Sequence, residues 1–245
     1  MSSTNRGGKR SPADFYSTPP YCVLRILEDP YAQEQLPAGR WLEPGAGDGA
    51  IIKATQLVRS DIEWTALELR EECKPPLVEA VGSTGTVLIE DYLTPPADSA
   101  LIANFAVSMG NPPYRLAQEF IIRSLEVSLT VCLLLRVNFL ASAKRNSFMR
   151  KMMPDCYILP NRPSFSGQGT DSPEYAWFIW SGERNRTTGR LRVLNTTSIV
   201  VRNEAKDKLV PKTRRRKLKQ LPLPIPEAPD ESEISVIDQS PNTSR

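Results

Sequence analysis

The stretch Trp41-Leu42-Glu43-Pro44-Gly45-Ala46-Gly47-Asp48-Gly49 decides the fold, because it joins a short strand to a glycine-rich loop and then to a helix. The strand is predicted over Gly39–Leu42 and the helix from Ala50 to about Arg59. Glycine adopts left-handed backbone conformations at little cost, so this loop can turn tightly and approach a ligand. Its G-x-G-x-G spacing is neither the dinucleotide fingerprint nor a phosphate-binding loop, which leaves the kind of ligand open.

Two acidic residues follow the next two predicted strands. Glu68 ends the strand Glu63–Leu69, 23 positions beyond Gly45, where a carboxylate can bind ribose hydroxyls. Asp91 follows the strand Thr86–Ile89 and can accept a hydrogen bond from an adenine amino group, with Tyr92 or Leu93 packing on the ring. The alternative for Asp91 is an exposed acid of a loop. An acid at a strand tip together with the glycine loop indicates a nucleoside site.

A fourth predicted strand, Ala103–Met109, leads into Asn111-Pro112-Pro113-Tyr114 and then into the amphipathic helix Arg115–Leu125. Each proline fixes its own φ, and Pro113 also pushes Pro112 out of the helical region, which aims the Pro112 carbonyl outward. That carbonyl and the Asn111 side-chain oxygen can accept both hydrogens of a planar amine, while Tyr114 offers a stacking face. The alternative is a plain strand-to-helix turn.

A predicted helix at Tyr21–Leu27 is preceded by prolines and by Thr18, which we interpret as its N-cap. The exposed amides of a helix start can hold a carboxylate, such as the amino-acid end of a cofactor. Simple capping is the alternative explanation of the same residues.

Composition excludes several kinds of chemistry. The 245 residues include no histidine, which removes Ser-His and Cys-His nucleophiles and most zinc sites. The four cysteines form no C-x-x-C pair, so we expect no metal site and no disulfide framework. The sequence has no apolar run near the about 20 residues of a membrane helix, and we expect a cytoplasmic protein without membrane contact.

Taken in order, these motifs resemble the class I S-adenosylmethionine-dependent methyltransferases, and among them the enzymes that modify adenine N6 in DNA with the gamma-type motif order. The resemblance spans roughly residues 14–180 and includes Phe15-Tyr16-Ser17-Thr18-Pro19, which is similar to the family's motif near the methionine end of the cofactor. It implies S-adenosyl-L-methionine as cofactor and Asn111, Pro112, Pro113 and Tyr114 as the catalytic residues. The cofactor-binding residues that it implies are Tyr16, Thr18, Pro19, Glu43, Pro44, Gly45, Ala46, Gly47, Glu68, Leu69, Asp91, Tyr92 and Asn111.

The fold expected from the resemblance is α/β, a Rossmann-like seven-stranded, mostly parallel sheet with helices on both faces and an antiparallel last strand. The remaining strands are predicted at Leu129–Leu135, Tyr157–Leu159 and Tyr175–Trp180, with a basic helix over Ser142–Met153. A short hairpin of Leu191–Leu194 and Ser198–Val201 is expected after them.

Substrate contacts are expected from a loop and a helix that follow the Asn111–Tyr114 turn in the chain. By the resemblance, Phe165 faces Tyr114 across an extruded base, although it can equally close the core. Lys144 and Arg145 on the basic helix, with Arg162, are candidates for phosphate contacts to double-stranded DNA. The alternative for the helix is a solvated charged face.

The domain organisation expected is a disordered leader at residues 1–12, a catalytic domain at 13–202 and a disordered tail at 203–245. The tail is first basic and then rich in proline and acid. Gamma-type enzymes usually carry a large target-recognition domain, for which this sequence has little room. Its specificity is therefore slight, read by short loops or supplied by a partner, and a homodimer stays open. The compact design suggests a phage or mobile-element enzyme acting in the bacterial cytoplasm.

The leading functional hypothesis is methyl transfer to adenine N6 in DNA by base flipping and direct transfer. Protein-glutamine methyltransferases and some RNA adenine methyltransferases share Asn-Pro-Pro-Tyr, because an amide and an aromatic amine pose the same chemical problem. The glutamine enzymes usually place a helical domain before the cofactor loop, for which 42 residues leave no room. A catalytically silent DNA-binding or assembly subunit is the third hypothesis.

Overall fold

The computed structural model describes residues 17–99, 101, 104–165, 172–181 and 187–197. Eight strands in these ranges form one sheet. They are β1 Gly39–Pro44, β2 Ile62–Glu68, β3 Thr86–Ile89, β4 Phe105–Gly110, β5 Ser128–Arg136, β6 Asp155–Ile158, β7 Tyr175–Ser181 and β8 Leu191–Val193.

The strands lie in the order β3-β2-β1-β4-β5-β7-β6-β8. All neighbouring pairs among β1 to β5 are parallel, and β7 is antiparallel to both β5 and β6. The order in which strands are added reverses at β1, since β2 and β3 lie on one side of it and β4 and β5 on the other. The loops that follow β1 and β4 therefore diverge at the carboxyl edge. In open α/β sheets such a switch point is where ligands bind.

Helices cover both faces of the sheet. They are α1 Pro20–Glu28, α2 Pro30–Gln33, α3 Ala50–Thr55, α4 Lys74–Val81, α5 Ala117–Val127 and α6 Asn146–Lys151. Alternate residues of β5 point to opposite faces: Cys132 and Leu134 join the core with α1, α3 and α4, whereas Val131 and Leu133 join the core with α5 and α6. The predicted fold class is therefore confirmed.

The structure corrects the strand count, because β8 adds an eighth strand to the predicted seven. On one side β8 pairs in parallel with β6. The Arg192 guanidinium fixes it to α2, with an ion pair of 3.2 Å to Asp29 and a position 3.9 Å from the centroid of the Tyr31 ring. The predicted partner strand Ser198–Val201 lies outside the described residues, as do the leader 1–12 and the tail 203–245.

Two predicted helices are shorter than expected. Helix α3 ends at Thr55 rather than near Arg59. The basic segment Ser142–Met153 divides into a 3-10 turn, Ala143–Arg145, and α6. Within the described ranges, no helix has the length and apolar composition that a membrane span requires.

Candidate active site

A cavity of about 430 Å³ lies at the carboxyl edge of the sheet, over the switch point between β1 and β4. The loops after β1, β2, β3 and β4 all contribute to its wall. Residues that the sequence predicted as site residues and that line it are Thr18, Glu43, Gly45, Ala46, Gly47, Glu68, Leu69, Asp91, Tyr92, Asn111, Pro112, Pro113, Tyr114 and Phe165. Pro19 and Pro44 are not lining residues, and Tyr16 lies outside the described residues.

The glycine loop turns through three left-handed residues, with φ of 69° at Gly45, 57° at Gly47 and 74° at Gly49. The loop is fixed to β2, since the backbone N–H groups of Gly45 and Ala46 both donate to the Leu67 carbonyl at 2.8 and 3.0 Å. Gly49 serves packing, because a Cβ there would lie 2.8 Å from the Ala80 side chain on α4. Gly45 and Gly47 leave backbone at the cavity wall.

Glu68 lies at the end of β2, where its carboxylate joins the loop to the cavity wall. Oε2 accepts the Gly47 backbone N–H at 2.8 Å, and Oε1 accepts Nε of Arg70 at 2.9 Å. A carboxylate has about four lone-pair sites, and with the Arg70 backbone N–H at 3.2 Å three of them are used. Arg70 was not predicted as a site residue, although it follows the acid by two positions.

Glu43 is a buried carboxyl at the carboxyl end of β1, beside the glycine loop, and it is only 2% exposed. Its Oε2 has no hydrogen-bond partner within the described part of the chain. Burial raises the pKa of Glu43 well above 4.5, and the negative charge of Asp48 raises it further. The cavity wall thus holds a carboxyl group that a cationic ligand group would favour in its ionised form.

We expect Glu43→Gln to stabilise the ligand-free protein at neutral and alkaline pH. Because the folded protein holds this proton more tightly than the unfolded chain, wild-type stability falls as pH rises from about 4.5 through the raised pKa and then levels off. Glu43→Gln lacks that loss of stability, so its urea midpoint should exceed the wild-type midpoint by a larger amount as pH rises. Exposed Glu63→Gln is the control. A difference that does not change with pH would contradict the assignment.

Asp91 and Tyr92 form the part of the wall that follows β3. Asp91 is exposed, and its two carboxylate oxygens accept hydrogen bonds from the Leu93 N–H and the Thr94 hydroxyl, both at 2.9 Å. The Tyr92 hydroxyl is 2.9 Å from the Ser124 hydroxyl, and burial raises the pKa of Tyr92 to about 12. Tyr92 is therefore a fixed apolar wall rather than a titrating group at neutral pH.

Asn111 presents an unsatisfied acceptor at the end of β4. Its Nδ2 donates to the Thr18 hydroxyl at 3.1 Å, while its Oδ1 is buried and has no hydrogen-bond partner among the described residues. This contact corrects the predicted role of Thr18, because Pro19 is the N-cap of α1 and no side chain caps that helix. Pro113 is extended, with φ −55° and ψ 117°, and its carbonyl accepts the Leu116 N–H at 2.8 Å.

Aromatic rings surround the end of the cavity that lies next to Asn111. The ring centroid of Tyr175 is 5.7 Å from that of Tyr114 and 5.2 Å from that of Phe165. The Arg136 guanidinium lies 4.9 Å from the Tyr114 centroid. The sequence did not indicate Tyr175 and Arg136 as site residues, because the register that pairs them across β5 and β7 is set by the folded sheet.

The three cations predicted to contact DNA do not line the cavity. Arg145 packs on its own fold, since its Nε donates to the Phe139 carbonyl at 3.0 Å and its guanidinium lies 4.3 Å from the Phe139 centroid. Arg162 forms an ion pair with the exposed Glu174. Lys144 is exposed.

Comparison with known proteins gives a likeness in structure alone. No protein-family model matches the sequence, and no curated protein matches it. A protein from Pyrococcus horikoshii assigned as an RNA methyltransferase has a TM-score of 0.55 and 16% identity, over 74% of this chain and 94% of that chain. A protein from Agrobacterium tumefaciens, described as a predicted O-methyltransferase, has a TM-score of 0.55 and 19% identity, over 76% and 96%. The chain therefore has the Rossmann-like fold of these methyltransferases.

Proposed function

We propose that this chain is an enzyme that transfers a methyl group from S-adenosyl-L-methionine to the N6 amino group of adenine in DNA. One observation carries the proposal: the Oδ1 atom of Asn111 is a buried acceptor without a partner among the described residues, in the wall of the cavity that Glu68 and the glycine loop also line. A buried polar atom left unpaired is costly, so its ligand is expected to supply a donor.

The residues of the cavity fit the proposed cofactor. A volume of about 430 Å³ is within the range of cofactor sites, and the glycine loop leaves backbone rather than side chains at the wall. The remaining lone-pair site of Glu68 suits ribose hydroxyls, Asp91 suits an adenine amino group, and Leu69 and Tyr92 supply apolar wall. The unpaired carboxyl of Glu43 suits an ammonium group. The cofactor supplies a methyl group on a positively charged sulfur, which is already strongly electrophilic.

The catalytic turn then addresses the weak nucleophilicity of the amine. The lone pair of an adenine amino group is delocalised into the ring, which makes the nitrogen a poor nucleophile. Oδ1 of Asn111 and the Pro112 carbonyl accept the two N–H hydrogens and favour a tetrahedral nitrogen with a localised lone pair. Alignment of the amine and stabilisation of its developing charge account for the rate.

Direct transfer also agrees with the nucleophiles in this part of the chain. All four cysteines are buried, and none of them lines the cavity formed by the described residues. Burial raises the pKa of Cys22 and Cys132 far above the usual thiol range, and that of Cys156 to about 11. These thiols are therefore protonated at neutral pH, and a covalent enzyme intermediate is not part of the proposal.

The aromatic end of the cavity supports an unstacked base as substrate. An amine inside a DNA duplex cannot reach a recessed acceptor, so the adenine must leave the helix and be held by stacking. Tyr114 provides a ring surface beside the catalytic oxygen, with Tyr175 and Phe165 as the adjoining wall. Base–aromatic stacking contributes about 1–3 kcal/mol per base, which offsets part of the cost of extrusion.

A transfer assay with tritium-labelled S-adenosylmethionine tests the proposal against its alternatives. Duplex DNA, RNA and a glutamine-bearing peptide are offered separately, and labelled DNA is digested to nucleosides for chromatography. We expect label in duplex DNA, recovered as N6-methyldeoxyadenosine. Label confined to RNA or peptide would contradict the DNA assignment, and a failure to bind the cofactor by calorimetry would favour a catalytically silent subunit.

A further inference from the structure

Arg136 is a cation in the wall of the cavity, and the proposed methyl transfer gives this residue no role. It is the last residue of β5, and its guanidinium lies 4.9 Å from the Tyr114 ring centroid, within the about 6 Å range of cation–π contacts. Its Nε atom is buried and has no hydrogen-bond partner in the described ranges. The Nε atoms of Arg25 and Arg123 are also buried without a partner in the described ranges, but of these three arginines Arg136 alone lines the cavity.

The position of Arg136 places it at the same end of the cavity as Asn111. Gly110, which precedes Asn111, pairs with Leu133 on β5, so the Arg136 backbone lies three residues, roughly 10 Å, beyond that point. Its side chain turns to Tyr114, three positions after Asn111. Across the sheet Arg136 is opposite Tyr175, whose ring also contacts Tyr114. A group that stacks beside Tyr114 therefore lies close to both Asn111 and Arg136, which line the same cavity.

Adenine presents the complementary pair of groups on one edge. Its amino group donates two hydrogens, and the ring nitrogens N1 and N7 that flank it accept. We propose, building on the methyl transfer to adenine proposed above, that the Arg136 guanidinium donates a hydrogen bond to the ring nitrogen next to the target amine. Asn111 and Pro112 then hold the amine while Arg136 fixes the rotation of the base in its plane. Arg136 is a specificity-determining residue in this arrangement.

Two other roles for Arg136 lead to different outcomes. A contact to a backbone phosphate would depend on charge and would not distinguish one base from another. Packing over Tyr114 alone would depend on the length of the side chain and not on its donors. A donor role requires the guanidinium N–H at this place, so neither a lysine nor a methionine can replace it.

The test uses a DNA duplex that carries one adenine shown to be methylated by the wild-type protein. That adenine is replaced in turn by 1-deazaadenine and 7-deazaadenine, which lack one acceptor each. We expect wild-type kcat/KM to fall by about tenfold or more on one of the two analogues, since a hydrogen bond from a charged donor is lost. In Arg136→Lys and Arg136→Met, kcat/KM on adenine should fall and the penalty for that analogue should disappear.

Controls separate this role from folding and from charge. Calorimetry with S-adenosylmethionine should give wild-type affinity in both Arg136 variants if they are folded. Arg115→Gln removes an exposed cation next to Tyr114 that does not line the cavity, and it should leave the ratio between adenine and analogue unchanged.

Three results would overturn the inference. The first is a wild-type enzyme that methylates adenine and both analogues with equal kcat/KM. The other two are an Arg136→Lys or an Arg136→Met variant that keeps the wild-type ratio of kcat/KM between adenine and the analogue. Wild-type enzyme that methylates no adenine in DNA would instead remove the proposed function itself, before any variant is compared.

Discussion

Asn111→Ala should lower the rate of methyl transfer by about 100-fold to 1,000-fold or more and leave the affinity for S-adenosylmethionine within a few fold of wild type. In the proposed reaction the side-chain oxygen accepts a hydrogen bond from a group whose charge changes, and removal of one such oriented group costs about this much. Single-turnover transfer of tritium at saturating cofactor measures the rate, and calorimetry measures the affinity.

Thr18→Val is the matched variant for this prediction. It keeps the Asn111 oxygen but removes the hydroxyl that accepts Nδ2 at 3.1 Å, so the amide is present without its anchor. We expect a rate between those of wild type and Asn111→Ala. Lost cofactor affinity in Asn111→Ala, with normal turnover at saturation, would show that Asn111 binds cofactor and does not act on the amine.

Glu68→Gln should weaken cofactor binding by at least about tenfold and lower the free energy of unfolding by about 3 kcal/mol. The carboxylate accepts from the Gly47 N–H and from Arg70, whose side chain is 13% exposed. The amide of the variant places its own N–H donor against the Gly47 N–H and the Arg70 guanidinium, which both donate. It also removes the negative charge that Glu68 supplies to the largely buried Arg70 side chain. Calorimetry and urea denaturation of the ligand-free protein measure the two effects.

Glu71→Gln provides the comparison, because its ion pair with Lys74 joins side chains that are 71% and 53% exposed. Exposed pairs of this kind contribute less than about 1 kcal/mol. A Glu68→Gln protein that unfolds more easily but binds cofactor normally would assign Glu68 to the loop structure alone.

The central strand β5 was predictable because it is a long, mostly apolar run. The prediction Leu129–Leu135 differs from β5, Ser128–Arg136, by one residue at each end. The hairpin stays a prediction, since its second strand lies outside the described residues. The pairing of Leu191–Val193 with β6 was not predicted, because this strand is short, has two exposed apolar side chains and meets β6 through contacts far apart in sequence. Local pattern does not encode such a partner.

The candidate site was predictable where function depends on chain-local geometry. The glycine loop, Glu68 and the Asn111–Tyr114 turn each follow directly from a strand, and parallel strands place their carboxyl ends together. Thr18 and Arg136 depend on side-chain contacts between elements far apart in the chain, whereas Arg145 contacts Phe139 only 6 positions away. The sequence pattern favours a helix cap at Thr18 and gives no sign of the contact between Arg136 and Tyr114. The packing of Arg145, a candidate for phosphate contact, on Phe139 is visible in the fold alone.

The hydrogen bond between Thr18 and Asn111 has a practical consequence for protein preparations. It joins the turn after β4 to a short segment before α1, 93 positions away in the chain. Displacement of that segment would leave every strand of the sheet in place while freeing the Asn111 amide to rotate. Circular dichroism and melting curves would then look native even though turnover is slow. The quality of a preparation is therefore better judged by active-site titration than by spectroscopy.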